Sequence, residues 1–302
     1  MSRMTAPFVA LSLAAAVLAP AIAHADAPAV TPTAITTAPA FDKAAFTLFN
    51  PTPDAQLRSL CTDRPTKSTG ACTVDAGHWQ IESDVVNVTI DHTGGFDTTT
   101  VLATNPTLKL GLTNTIDAEL NIVPYETITA KDRATGITTR ASGVGDLYGR
   151  LKINLMGDDG GDLAIALVPY VKAPTAPANV GNRAVEAGVI APIVVNLPAS
   201  WQLTVDPELD LLKNGGDNGR HLNASGLLSF SHPASKTVTV SIELWSDVNY
   251  DPQKTVTQVS ADLGLAWIPA SLPNMQFDGG VNFGLNNVTP AAQVYVGISR
   301  RF

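Results

Sequence analysis

The chain has 302 residues, a formal net charge of -8 and only 15% charged side chains. That acidic balance removes the electrostatic case for a nucleic-acid partner, and beyond the N-terminal stretch no apolar run is long enough for a membrane-spanning helix. The 23 glycines and 21 prolines favour many strands joined by turns over helices.

Taken from the N-terminus, Arg3 precedes an apolar stretch over residues 8–22, and Ala23-His24-Ala25 supplies the small-x-small pattern of a cleavage site. Residues 1–25 are therefore expected to be a signal peptide. Residues 26–40 are mainly Ala, Pro and Thr, a composition that cannot bury a core. From residue 41 the character changes, with Phe41, Phe46 and Phe49, several prolines, and the two cysteines Cys61 and Cys72. A Cys61–Cys72 disulfide is expected, because exported thiols are oxidised and the intervening loop is short. The two thiols with His78 lack the paired spacing of a zinc site, so neither a metal nor a cofactor is expected. The segment 26–77 reads as a periplasmic N-terminal leader, with residues 41–77 forming a plug or gate in which Arg64 and Lys67 meet an acidic lumen. A leader lying outside the barrel is the alternative.

Residues 78–302 read as strands. Val238, Val240, Ile242 and Leu244 alternate with Thr237, Thr239, Ser241 and Glu243; residues 146–155 and 202–211 do the same. About twelve such segments are expected, near 78–91, 98–112, 115–128, 143–156, 161–173, 183–197, 201–213, 219–231, 236–250, 254–269, 273–286 and 291–302. Many run to roughly ten residues or more, which suits a tilted bilayer crossing better than a soluble sandwich. The expected fold is an all-β, transmembrane, antiparallel up-and-down barrel with both ends in the periplasm. Its longest outer connections are expected at 130–142 and 174–182. Trp79, Trp201, Trp245, Trp267, Tyr125, Tyr170 and Tyr250 fall near predicted strand ends, as interfacial girdle residues do.

The last strand, residues 293–302, puts Val294, Val296, Ile298 and Phe302 on one face and Gln293, Tyr295, Ser299 and Arg301 on the other. Arg300 departs from the apolar face, where its long side chain can snorkel. A chain ending on Phe302 resembles outer-membrane barrels, whose terminal aromatic is read by the barrel-assembly machinery. This implies outer-membrane lipids and that machinery as partners.

On this register the lumen receives Glu82, Asp84, Asp117, Glu119, Asp146, Arg150, Lys152, Asp206, Glu208, Asp210 and Glu243. Glu186, Asp262, Asp278, Lys109 and Lys172 join them. So many ionised groups need water or partners. The ladder Asp206, Glu208, Asp210 admits two readings, cation binding or salt bridging across the lumen to Arg150 or Lys152. No G-x-S-x-G, H-E-x-x-H or phosphate-cradling loop is present, so no catalytic residue is expected. His221 and Ser225 can face inward together, but four residues along a strand separate them by roughly 13 Å.

Several stretches carry a resemblance: FNPTPDAQLRSL at 49–60, TDRPTKS at 62–68, TVDAGHWQIESD at 73–84, LKLGLTNTIDAEL at 108–120 and GVGDLYGRLKINLMGDDGG at 143–161. In combination they resemble the outer-membrane transporter family named for a MetA pathway of phenol degradation. The resemblance implies a single barrel passing a small solute, hydrophobic or aromatic, across the outer membrane, with no catalytic residues. The rival functions are a structural or adhesion barrel and, third, an outer-membrane hydrolase.

Overall fold

A computed structural model describes residues 43–302. The expected signal peptide and the docking expected of Phe41 lie outside the described residues.

Twelve antiparallel staves close into a barrel, built from sixteen hydrogen-bonded segments because several staves are interrupted. The first stave is β1 (Trp79–Asp91). The second consists of β2 (Phe96–Ala103) and β3 (Thr107–Thr113), and the third of β4 (Ile116–Ile122) and β5 (Glu126–Asp132). The fourth is β6 (Thr138–Gly143) with β7 (Leu147–Met156), and the fifth is β8 (Leu163–Ala173). The sixth is β9 (Glu186–Ile190) with β10 (Ile193–Asn196). Unbroken staves follow: β11 (Gln202–Lys213), β12 (Arg220–Pro233), β13 (Val238–Asn249), β14 (Val256–Trp267), β15 (Met275–Gly284) and β16 (Ala292–Arg301). Closure runs from Gln80 opposite Arg301 to Ile90 opposite Ala292, so every edge along this seam is paired.

The interruptions have local causes. Proline cannot donate to a ladder and fixes φ, and Pro106, Pro124 and Pro192 fall between β2 and β3, β4 and β5, and β9 and β10. Thr104 adopts a left-handed φ of 68° beside the first of these breaks. Beyond these corners β2, β5 and β6 continue upward as a sheet on β1. The connection expected at 130–142 is thus largely a hairpin, with Lys131 opposite Thr138. Its turn is closed by Asp132, whose carboxylate accepts the Ala134 and Thr135 N–H groups at 2.7 and 3.1 Å.

Burial is inverted relative to a soluble protein. Ile242 is 59% exposed and Val294 50%, whereas their neighbours Glu243 and Tyr295 are 3% and 6% exposed. Alternation therefore points apolar side chains outward and polar ones inward, the pattern that a lipid solvent selects. Exposed Trp79, Trp201, Trp267 and Phe302 ring the inner mouth, where Trp267 packs on Phe277 at 5.5 Å, and exposed Tyr125 and Tyr250 lie at the outer end. Trp245 and Tyr170 correct the expected girdle. Both share the inward face of their strands, Trp245 with Glu243 and Tyr170 with Lys172, and both contact lumen groups. Nearness to a strand end is a poor guide when the strand's parity puts the ring inside.

Candidate functional site

The segment between residue 43 and β1 is nearly without regular structure, its one helical piece being a single 3-10 turn, Asp54–Gln56. Such a segment has backbone N–H groups that need partners once it is enclosed. The barrel supplies them as carboxylates. Glu82 accepts the Asp63 N–H at 3.0 Å, Glu243 that of Lys67 at 2.9 Å and Asp206 that of Thr69 at 2.7 Å. Asp158 accepts the Thr73 N–H at 3.0 Å and Asp117 that of Val74 at 2.8 Å. Wall amides answer the carbonyls: Gln80 donates to the Cys61 oxygen, Gln276 to that of Arg64 and Asn154 to that of Ala71, at 2.7, 3.0 and 2.8 Å. Residues 58–77 thus lie inside the barrel wall, bonded around its inner surface.

Charge pairs fix the register of this segment. The Arg64 guanidinium spans Asp84 on β1 at 2.6 Å and Asp278 on β15 at 2.7 Å. Burial works against its charge, but the two carboxylates outweigh burial and raise its affinity for the proton. Asp63 binds both Lys109 and Lys152, the latter at 2.8 Å. Burial alone would raise this carboxyl, yet the two ammonium groups hold it well below the ordinary range. Lys109 and Lys152 also reach Glu119 at 3.5 and 3.4 Å, so the cluster is a network rather than one pair. Lys67 meets Asp262 at 3.2 Å and lies 4.4 Å from the Trp245 ring centre. Burial lowers its proton affinity, and Asp262 and Glu243 offset only part of that. Cys61 and Cys72 form a disulfide, closing the loop that carries all three of these charges.

At the inner mouth Arg58 reaches Asp159 at 3.0 Å and the Asn114 side chain at 2.6 Å, while Arg301 of β16 reaches Asp75 at 3.2 Å. Burial raises the Asp158 carboxyl in the same turn, although Arg58 and Thr73 pull it back. Asp159 goes the other way. Against the burial effect, bonds from Lys43, Asn114 and Arg58 lower it to about 2.

Two glycines make room for the inserted backbone. A Cβ at Gly111 of β3 would collide with the Asp75 carbonyl, and one at Gly297 of β16 would collide with the Arg64 guanidinium.

Every lumen residue expected from the alternation lies on the inward face, buried or half-buried. Their partners differ from expectation at the acidic ladder. Asp206 accepts from Thr69 of the inserted segment, Asp210 from Tyr170 at 2.6 Å and Glu208 from Ser225 at 3.3 Å. Salt bridges to Arg150 or Lys152 do not form there, because Lys152 is engaged by Asp63 and Glu119 and Arg150 sits 3.9 Å from Glu119. Higher in the lumen, Lys172 joins Asp146 at 3.2 Å and Glu186 at 2.6 Å. Among the described residues no cluster of His, Cys, Asp or Glu has the geometry to hold a metal. His221 bonds Asn214 at 3.0 Å and Ser225 bonds Glu208, so that inward pair is not assembled as base and nucleophile. Sequence reasoning missed Asp63, Arg58 and Asp75. For Asp63 the signal was available in the packing of opposite charges into TDRPTK, between the two cysteines and ahead of an acidic first strand.

A family profile described as Putative MetA-pathway of phenol degradation matches residues 62–302. No protein of curated function matches the sequence. Among solved structures, the COG4313 outer membrane channel from Pseudomonas putida F1 shares the fold, with a TM-score of 0.58 and 14% identity over 74% of this chain and 95% of that one. The NanC porin is a more distant likeness, with a TM-score of 0.46 and 11% identity over 72% of this chain and 98% of that one. The closed barrel and its apolar outer band place the chain in the bacterial outer membrane.

Proposed function

From the premise that the chain belongs to the family of the putative MetA pathway of phenol degradation, we propose that it is a gated outer-membrane channel for small hydrophobic or aromatic compounds. In this reading residues 58–77 are the gate, and the barrel, residues 78–302, is the conduit. The observation that carries it is the way the inserted segment is held. Its N–H groups and its cations are bound by carboxylates from β1, β4, β11, β13, β14 and β15, so the segment blocks a polar lumen through bonds that water can replace. A core sealed by apolar packing would offer no such exchange. Support for the solute class comes from the family, whose name refers to phenol degradation, and from the inward rings of Tyr148, Tyr170, Trp245 and Tyr295. The Pseudomonas putida protein that shares the fold is an outer membrane channel.

This role has no catalytic step. Its test is flux through proteoliposomes containing the full chain or a variant lacking residues 61–72. Benzyl alcohol and phenol are expected to enter faster through the shortened protein than through protein-free liposomes. Entry no faster than the liposome background, with the barrel correctly assembled, would leave a structural or adhesion role as the better account.

A further inference from the structure

At the outer end of the hairpin formed by β11 and β12, Lys213 and Arg220 stand directly opposite one another. Parity turns both outward, because Asp210 on β11 and His221 on β12 are buried on the inward face and the two cations fall out of phase with them. Like charges directly opposite repel, and among the described residues neither enters an ion pair; the pairs formed nearby, Lys172 with Glu186 and His221 with Asp251, leave both out. The acids of the adjoining loops are committed elsewhere. Asp217 in the connecting turn accepts from the Asn214 side chain at 2.7 Å and the Gly219 N–H at 2.6 Å, and Asp251 accepts the Gly215 and Gln253 N–H groups at 2.6 and 2.8 Å. Glu186 faces inward to Lys172 and takes only the backbone N–H of Lys213, at 2.9 Å. The counter-charge for this pair therefore has to come from outside the chain.

Register shows what lies beneath the two cations on the same face. Leu211 pairs with Leu222, and Leu209 follows opposite Ala224; all three leucines are exposed toward the bilayer. The Tyr250 N–H donates to the Leu222 carbonyl at 3.2 Å, which places this exposed aromatic on the strand alongside, at the outer interface. The column thus runs from acyl-chain contact, past an interfacial aromatic, to a pair of cations. A phosphorylated lipid presents its own parts in that order. An arginine fork beside a lysine point charge suits phosphate oxygens. A lipid-borne phosphate engages the cations and the leucines together, whereas a free phosphate engages the cations alone.

We propose that Lys213 and Arg220 form a docking site for a phosphorylated glycolipid of the outer leaflet. Its phosphate lies between the two cations, and an acyl chain lies along Leu222, Leu211 and Leu209. The inference uses the barrel's place in the outer membrane and is independent of whether the lumen conducts.

The probe is bisphosphoryl lipid A, titrated into the purified full-length protein in detergent with native mass spectrometry counting bound lipid. Lipid A stripped of both phosphates and inorganic phosphate serve as comparisons. The phosphorylated lipid is expected to bind at least about tenfold more tightly than the stripped one. Lys213→Gln and Arg220→Gln are each expected to weaken it about fivefold, whereas Lys236→Gln, at an exposed cation in the inner turn between β12 and β13, leaves it unchanged. Heat-modifiable gel mobility reports whether each variant has folded. Arg220→Glu guards against a folding artefact: it sets an opposite charge across from Lys213, which favours the hairpin, yet it is expected to weaken lipid binding further than Arg220→Gln does. Unchanged affinity in the Lys213 and Arg220 variants overturns the proposal, as does equal binding of the phosphorylated and stripped lipids. Complete displacement of the lipid by an equal concentration of inorganic phosphate, the mark of a free-anion site, overturns it too.

Discussion

Replacing Arg64 by methionine keeps an unbranched apolar stem and removes the guanidinium and its charge. In the closed state Asp84 and Asp278 then face one another's field without a cation, and their side chains are only 3% and 0% exposed. Removing one partner of a buried pair costs about 3–5 kcal/mol, mostly because the remaining charges are stranded. At about 1.4 kcal/mol per decade, the equilibrium between docked and undocked plug should shift by two to three and a half powers of ten. Planar-bilayer recording is the assay, with hydrogen exchange of residues 58–77 as a second readout. Arg64→Met is expected to raise the open fraction and to speed exchange in that segment alone. Arg64→Lys should fall between, since it keeps the charge but loses the planar fork that gives each carboxylate its own N–H donors. Adding Asp84→Asn and Asp278→Asn to the methionine variant should restore much of the closed population by removing the stranded charge. A closed current and exchange pattern unchanged in Arg64→Met would refute the argument that charge pairs hold the segment in place.

Other outcomes follow from the same geometry. Reducing the Cys61–Cys72 bond, whose partners are 11 residues apart, should cost the loop about 3 kcal/mol of ordering and accelerate exchange over 61–72, with the barrel amides unaffected. Gly111→Val should displace the segment around Asp75 while the barrel still assembles, seen as a folded, heat-modifiable band with raised conductance. Asp159 has a folded value of about 2 against an ordinary 3.8. Its tether to Lys43 and Arg58 is therefore complete above pH 4 and lost as pH falls toward about 2, and Asp159→Asn should abolish that acid-induced release in proteolysis or exchange measurements. Ile242→Arg, on the lipid face, should lower barrel stability by about 2–4 kcal/mol in urea unfolding if it lies near the bilayer midplane.

The barrel was legible because strands in lipid carry a strict two-residue period. Val238 to Trp245 and Val294 to Arg301 show it plainly, and the inward set from Glu82 to Asp278 followed from parity alone. Above the membrane both faces of a strand are wet, and the period fades. That is why Thr138–Gly143, with mostly polar side chains, looked like a loop although it pairs with β5. Trp245 and Tyr170 were misplaced because position along a strand was weighed above parity. The ladder of Asp206, Glu208 and Asp210 was visible, but its partners were not. Whether Lys152 turns to Glu208 or to Asp63 depends on an inserted segment whose path no periodicity encodes.

In the proposed role the segment ahead of β1 closes a channel that the barrel itself leaves open. Single-channel conductance of a protein lacking residues 41–72 but retaining residues 1–40 tests it most directly, compared with the full chain at the same salt and pH. A stable, larger conductance is expected in the shortened protein and a small or intermittent one in the full chain. Equal conductance from the two, with the shortened barrel shown to be folded by its heat-modifiable mobility, would contradict it.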